Sequence, residues 1–276
     1  MVPPRKSDAD YILGTSDLEQ RRLQAQGDAV SPLTERIFSQ AGIGAGMRVL
    51  DLGCGVGDVS LLVARMVGSE GKVVGVDRES ASLETARHRA AEQGLSNVEF
   101  VEGDFRELSS VHGVFDAAVG RLVLMYQADP VEAVRRVVER VRPGGVIAFQ
   151  EYDSTVPATA LPRMPLRERM GYWIWETLRR SGTDTHMGFK LHSVLEAAGL
   201  RSPEVRAEAI VQTPSTFDPR PALVRVLLPK TIEFGVATEE EVDIETLEER
   251  LQKEMDETQG VAVQVLVFGA WARRPD

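Results

Sequence analysis

The stretch Val49-Leu-Asp-Leu-Gly-Cys-Gly-Val-Gly-Asp58 carries an apolar strand straight into three glycines spaced two apart. Gly53, Gly55 and Gly57 lack a Cβ, so the backbone there can take positive φ and approach a ligand closely. The helix expected to follow offers unpaired N–H groups at its start. Asp51, at the tip of the strand, puts a carboxylate beside that opening. An acid in this position suits a cationic ligand group and repels a pyrophosphate.

Outward from this turn, residues 45–151 alternate short β-rich runs with helical stretches. That alternation is the pattern of a parallel sheet covered on both faces. Strands are predicted at 48–52, 73–76, 98–101, 115–119 and 146–150, with helical segments near 58–67, 80–93, 105–111 and 130–141. Pro143-Gly-Gly145 ends the last of these helices and turns the chain into the fifth strand. Right-handed crossovers bring the C-terminal ends of the strands to one rim, where a ligand is expected. Upstream, Ser16-Asp-Leu-Glu19 fits a capping box that starts a helix at Asp17, and a second helix is predicted over 31–41. Downstream, 163–180 and 189–198 read as helices, 204–212 as a strand, 221–257 as largely helical and 261–272 as a final strand. The expected organisation is an N-terminal helical cap over 1–44, a cofactor-binding core over 45–151, and lid helices with the last two strands over 152–276. The fold class is α/β, with a doubly wound, mostly parallel sheet of seven strands under a helical lid.

Four successive strand ends carry distinctive residues. Asp77 closes the second strand, 22 residues past Gly55, at about the spacing where an acid accepts hydrogen bonds from ribose hydroxyls, with Arg78 beside it. The third strand runs into Gly103-Asp104-Phe105, a carboxylate for an exocyclic amine and a ring to stack on a base. The fourth ends at Arg121 beside the expected reaction centre. Each alone has a plain structural reading, since a glycine turn joins many strands to helices and an Asp after a strand often caps a helix. Their recurrence at four rim positions outlines a ribose, an adenine and a cationic tail.

Bulk composition narrows the partners. The 276 residues carry a formal charge of −10. Nucleic-acid binding relies on clustered Lys and Arg, so this balance argues against such a partner. No apolar run reaches membrane-spanning length, and MVPPRKSDADY lacks the apolar stretch of a secretory leader, so a cytoplasmic protein without membrane attachment is expected. The single cysteine, Cys54, allows no internal disulfide, and no His/Cys/Asp cluster has metal-ligand spacing. The acidic run after Thr238 reads as the solvated first turns of a helix.

With these residues in place, the chain resembles the class I S-adenosylmethionine-dependent methyltransferases, which share a Rossmann-like fold. Their acid-x-G-x-G-x-G motif is matched by Asp51, Gly53, Gly55 and Gly57, and Val141-Arg-Pro-Gly-Gly-Val146 matches the usual entry to the fifth strand. The resemblance implies S-adenosylmethionine as cofactor, with the glycine loop around the methionine moiety, Asp77 on the ribose, and Asp104 with Phe105 framing the adenine. It covers residues 45–151 and is similar to the small-molecule branch that includes quinone and natural-product methyltransferases. A small, partly apolar methyl acceptor is therefore expected, methylated on O, N or C by a monomer or homodimer. A cofactor-binding isomerase or cyclase and a macromolecule methyltransferase are the alternatives. A nicotinamide-dependent oxidoreductase fits poorly, because Asp58 or Ser60 falls where its fingerprint wants Gly or Ala.

The acceptor side is less defined. Glu151 and Tyr152 follow the fifth strand directly, so Glu151 either handles an acceptor proton or pairs with Arg121. Of the histidines, His186 in the lid segment is the candidate base, with a cap or packing role as the alternative. Tyr126 is a candidate substrate contact, and Tyr172 and Trp175, three apart on a lid helix, offer a stacking surface if their shared face looks down. Tyr11 is expected to close over the cofactor.

Overall fold

Short Val-rich runs form the parallel strands because both faces of each are covered by helices, leaving no polar side to the sheet. The computed structural model describes residues 17–104, 106–156 and 159–276. In chain order they form α1 (Asp17–Gln40), β1 (Arg48–Leu52), α2 (Asp58–Val67), β2 (Lys72–Asp77), α3 (Ser80–Glu92), β3 (Val98–Glu102), β4 (Phe115–Arg121), α4 (Pro130–Arg140) and β5 (Val141–Asp153). There follow β6 (Thr159–Leu161), α5 (Pro165–Arg180), α6 (Met187–Ala197), β7 (Glu204–Gln212), α7 (Ala222–Glu233), α8 (Glu239–Val242), α9 (Leu247–Thr258) and β8 (Val261–Arg273).

The sheet runs β3-β2-β1-β4-β5-β8. β1 to β5 are parallel, and β8 is antiparallel to β5, with Leu266 opposite Asp153 on one edge and Ala209 of β7 on the other. The strand order reverses between β1 and β4, which is where a doubly wound Rossmann-like sheet opens a crevice at its carboxyl ends. Eight strands are present, not the seven predicted, because the three-residue β6 continues along β8 past the end of β5.

Side chains alternate between two cores. Val49, Val73, Val119 and Ala148 meet Ile37 and Phe38 of α1 and Val59 and Val63 of α2. Leu50, Val74, Ala118 and Ile147 meet Val134 and Val137 of α4 and Leu191 of α6 on the opposite face. A third apolar cluster, Trp173, Val224, Val242, Leu247 and Leu251, ties α5, α7, α8 and α9 into a helical layer above the strand ends. The buried hydroxyls of Thr177 and Thr231, 3.0 Å apart, join α5 to α7.

Two expectations about helices are corrected. The N-terminal helix is one continuous 24-residue element that passes through Pro32, not two helices. Proline inside a helix costs about 3 kcal/mol, and the burial of Val30, Leu33, Ile37 and Phe38 on the sheet offsets it. No helix forms among the described residues 106–111, where Leu108 takes φ 50 and ends any helical run. The 221–257 region divides into three helices, with Thr238 and Glu241 forming the capping box of α8 and Asp243 leaving it at φ 41. Ser16, the expected cap of α1, lies outside the described residues.

α1 approaches β8 closely at Gly269. A Cβ there would stand 2.6 Å from the Ile37 Cγ2. Gly269→Ala is expected to lower stability by about 1–3 kcal/mol in chemical denaturation. Unchanged stability would show that α1 does not seat on β8 in this way.

Candidate active site

The glycine turn adopts the backbone its residues allow. Gly53, Gly55 and Gly57 have φ of 60, 52 and 88, so each sits in the left-handed region. A Cβ on Gly53 would reach 2.6 Å from Val123 Cγ1, whereas nothing lies within 4 Å of one at Gly55. Gly55 therefore leaves open space over the loop. Asp77 holds the loop in shape: its Oδ2 accepts from the Gly55 N–H at 2.8 Å and its Oδ1 from the Glu79 N–H at 3.0 Å. An ionised carboxylate has about four acceptor sites, so Asp77 keeps capacity for further donors.

Asp51 is buried to 1% exposure. Its Oδ2 accepts from Ser60 Oγ at 2.5 Å, and its Oδ1 has no partner. Burial pushes its pKa up to about 7, opposed by Ser60 and Arg121 and reinforced by Asp77 and Asp58. Such a group gains most from a cation brought against it. Cys54 is also buried, and burial raises its thiol pKa well above the ordinary value, which leaves it protonated.

Arg121, at the end of β4, reaches Thr34 Oγ1 at 3.3 Å and Asp58 at 3.6 Å. Asp58 also pairs with Arg89 at 2.7 Å. Asp104 is held by the guanidinium and backbone N–H of Arg106. Asp51, Gly53, Gly55, Asp77, Arg78, Asp104 and Arg121 all line one cavity of about 670 Å³, whereas Gly57 is not in its wall and packs against Ala86 and Phe100. It continues beneath α5 and α7, where Tyr126, Tyr152 and Trp175 join its wall. Tyr11 and Phe105 lie outside the described residues.

Three expected acceptor-side residues lie elsewhere. Tyr172 points to solvent at 55% exposure, while the cavity face of α5 is the stripe Arg167, Met170, Gly171, Ile174, Trp175 and Leu178. Tyr172 falls beside this stripe, so its three-residue spacing from Trp175 does not give a shared face. His186 is half exposed outside the cavity, its Nδ1 2.9 Å from Thr155 Oγ1 and 3.8 Å from Asp153. Glu151 is fully buried and also absent from the cavity wall. Its Oε1 accepts from the N–H groups of Val123 at 2.9 Å and Leu124 at 2.7 Å, which fixes the turn after β4, and it makes no pair with Arg121. The geometry makes it a positioning residue for the turn that carries Tyr126.

Burial pushes the Glu151 pKa up to about 8, against the stabilising pull of the Leu124 and Val123 amides. The folded state therefore retains a proton that the unfolded chain has lost at any pH between the ordinary carboxyl range and 8. Stability is highest below that range and declines as pH rises through it, by about 1 kcal/mol per pH unit for one such group. Glu151→Gln keeps the acceptor oxygen and is expected to flatten this decline between pH 5.5 and 7.5. Parallel slopes in denaturation of the two proteins would remove the protonated carboxyl.

Sequence reasoning missed Arg167, Gln127 and Gln212. All three line the cavity and hold a buried polar atom with no partner: Arg167 Nε, Gln127 Oε1 and Gln212 Oε1. The available signal was Arg167, a charge set in the otherwise apolar stripe of α5. Among the described residues, no group of three or more His, Cys, Asp or Glu side chains could hold a metal ion, and no helix is long and apolar enough to cross a membrane.

Residues 43–199, which contain the glycine turn and the C-terminal ends of all five parallel strands, match the family model described as a methyltransferase domain. The chain belongs to that family. Over 120 residues this methyltransferase-family chain is 33% identical to the ubiquinone/menaquinone biosynthesis C-methyltransferase of Idiomarina loihiensis, a match that covers 43% of this chain and 48% of that enzyme. Over 118 residues it is 37% identical to the sterol 24-C-methyltransferase ERG6A of Gibberella zeae, covering 42% of this chain and 30% of that enzyme. The chain thus spans about half or less of the curated relatives it matches. Among solved structures, the YcgJ protein of Bacillus subtilis superposes with a TM-score of 0.58 at 18% identity, covering 89% of this chain and 98% of that one. That likeness shows a shared fold.

The cofactor that this family implies is S-adenosylmethionine, and the residues fit it. The unpartnered Asp51 Oδ1 suits an ammonium group, and the open space over Gly55 admits close approach of a ligand. Asp77 has spare acceptor sites for hydroxyls.

Proposed function

We propose that this protein is an S-adenosylmethionine-dependent methyltransferase acting on a small, partly apolar metabolite. The observation that carries the reading is the single cavity that joins a buried, half-partnered Asp51 at the glycine turn to an apolar chamber beneath α5. A small acceptor fits a chamber of this volume, within the usual range of small-molecule sites.

The cofactor supplies a methyl group on a sulfonium that leaves as a neutral thioether. The protein's part is alignment, which can contribute on the order of 7–11 kcal/mol when the reacting groups are held in line. Asp51 binds the ammonium end, Asp77 the ribose hydroxyls, and Asp104 with Phe105 the adenine. Arg121, tied to Asp58 and Thr34, fixes the floor between cofactor and acceptor. Tyr126, Tyr152 and Trp175 position the acceptor, and the helices α5 and α7 to α9 serve as the lid that excludes water.

The test is incubation with S-adenosylmethionine and a panel of quinols, phenols and apolar acids. Release of S-adenosylhomocysteine in step with a methylated product is expected. Turnover of an acceptor with no S-adenosylhomocysteine release would assign an isomerase or cyclase instead.

A further inference from the structure

The wall of the chamber contains a buried cation with no direct anionic partner among the described residues, its charge opposed only through space by the Glu254 carboxylate. Arg167 is 4% exposed, and its Nε makes no hydrogen bond. No ion pair or side-chain hydrogen bond holds its guanidinium among the described residues; the guanidinium lies over the Phe217 ring, 5.7 Å from its centroid. The carboxylate of Glu254 is committed elsewhere, its Oε1 accepting from the Leu166 N–H at 2.7 Å and its Oε2 from the Arg167 N–H at 3.0 Å. The other arginines of the wall differ: Arg78, Arg106, Arg121 and Arg220 pair with Glu79, Asp104, Asp58 and Asp218, and Arg22 donates to the Gln26 side chain.

A guanidinium stays charged in proteins, and burying it without a partner is costly. Such a residue persists where a ligand supplies the missing anion. Its neighbours on α5 are Met170, Ile174 and Trp175, and Gln212, 8% exposed, adds a second polar side chain with an unsatisfied Oε1. The chamber thus combines an apolar body with one cationic anchor.

We propose that Arg167 binds a carboxylate on the methyl acceptor, so that the acceptor is an amphipathic acid whose apolar part lies against Met170, Ile174 and Trp175. This rests on the methyltransferase reading and names the substrate class for the same cavity. Arginine suits the role because its planar donors match a carboxylate in a two-point contact. The carboxylate end is an anchor and takes no part in methyl transfer.

The experiment is calorimetric titration of the full chain, saturated with S-adenosylhomocysteine, with octanoate and with octan-1-ol. Octanoate is expected to bind at least about tenfold more tightly than the alcohol, as a charge-assisted pair in a dry site requires. Arg167→Gln removes that preference and leaves the affinities for octan-1-ol and S-adenosylhomocysteine within about twofold of the wild type. Arg167→Lys keeps part of the preference and guards against a variant that misfolds. Equal binding of the two probes, binding of neither, or a preference that survives Arg167→Gln overturns the assignment. Failure of S-adenosylhomocysteine to bind is a separate result that strikes the cofactor reading, and octanoate titrated into the cofactor-free chain then still reports on Arg167.

Discussion

Asp77→Ala lowers the affinity for S-adenosylhomocysteine by about a hundredfold, roughly 3 kcal/mol, because two hydroxyls lose a charged acceptor. The loss has a second source in the loop itself. Asp77 Oδ2 is the partner of the Gly55 N–H, and Oδ1 that of the Glu79 N–H. Without the carboxylate, the turn loses the bond that holds Gly55 at its left-handed φ, and part of the binding energy goes into reordering it. Asp77→Asn separates the two effects. The amide oxygen can still accept from one backbone N–H, so the loop is largely kept, while the charge is gone and affinity falls by an intermediate factor. Calorimetry on the three proteins gives the order wild type, Asn, Ala. Equal affinity across the series would take Asp77 out of the ligand site and leave it as a loop clamp.

Asp51 gives a pH dependence with a defined sign. Its pKa in the folded protein is about 7, raised from the ordinary value by burial. An ammonium group binds the ionised form, so binding expels the proton wherever Asp51 is still protonated. Affinity therefore rises with pH through 7. With a midpoint there, about a tenth of the sites are ionised at pH 6 and about nine tenths at pH 8, which predicts a roughly tenfold gain in affinity over that interval. For the unliganded fold the sign is opposite. A raised carboxyl pKa stabilises the protonated folded state, and that contribution is lost as pH rises through 7. Asp51→Asn abolishes the pH dependence of binding and weakens it by about 30-fold or more at pH 8, where the lost charge counts most. Titrations in buffers of different ionisation enthalpy measure the released proton directly. Affinity that is flat from pH 6 to 8 would show that Asp51 does not meet a cation.

The rim residues proposed to hold the cofactor could be gathered from the sequence because their signals are local. A glycine at φ 52, an acid at a strand tip and the parallel-strand spacing all depend on a few consecutive residues, and the sheet order then brings them to one rim. The acceptor half depends on contacts between distant elements. Whether Glu151 faces the cavity or the backbone is decided by the Val123–Leu124 turn, which its carboxyl caps from 28 and 27 residues away. Tyr172 and Trp175 share a helix, but the position of α7 and α9 decides which side of it is covered, and Trp173 goes into that contact while Tyr172 remains outside. The N-terminal region read as two helices, yet the burial of Ile37 and Phe38 keeps α1 continuous through Pro32. Arg167 was passed over since an arginine on a helix is ordinarily solvated, and its burial follows from how α5 lies over the strand ends.

The most direct test is parallel calorimetric titration of the full chain with S-adenosylmethionine, S-adenosylhomocysteine and NAD. Micromolar binding of both sulfur compounds, about −8 kcal/mol, with none of NAD is the predicted result. Binding of NAD alone would contradict the assignment of Asp51 to a cationic group and with it the methyltransferase reading of the cavity.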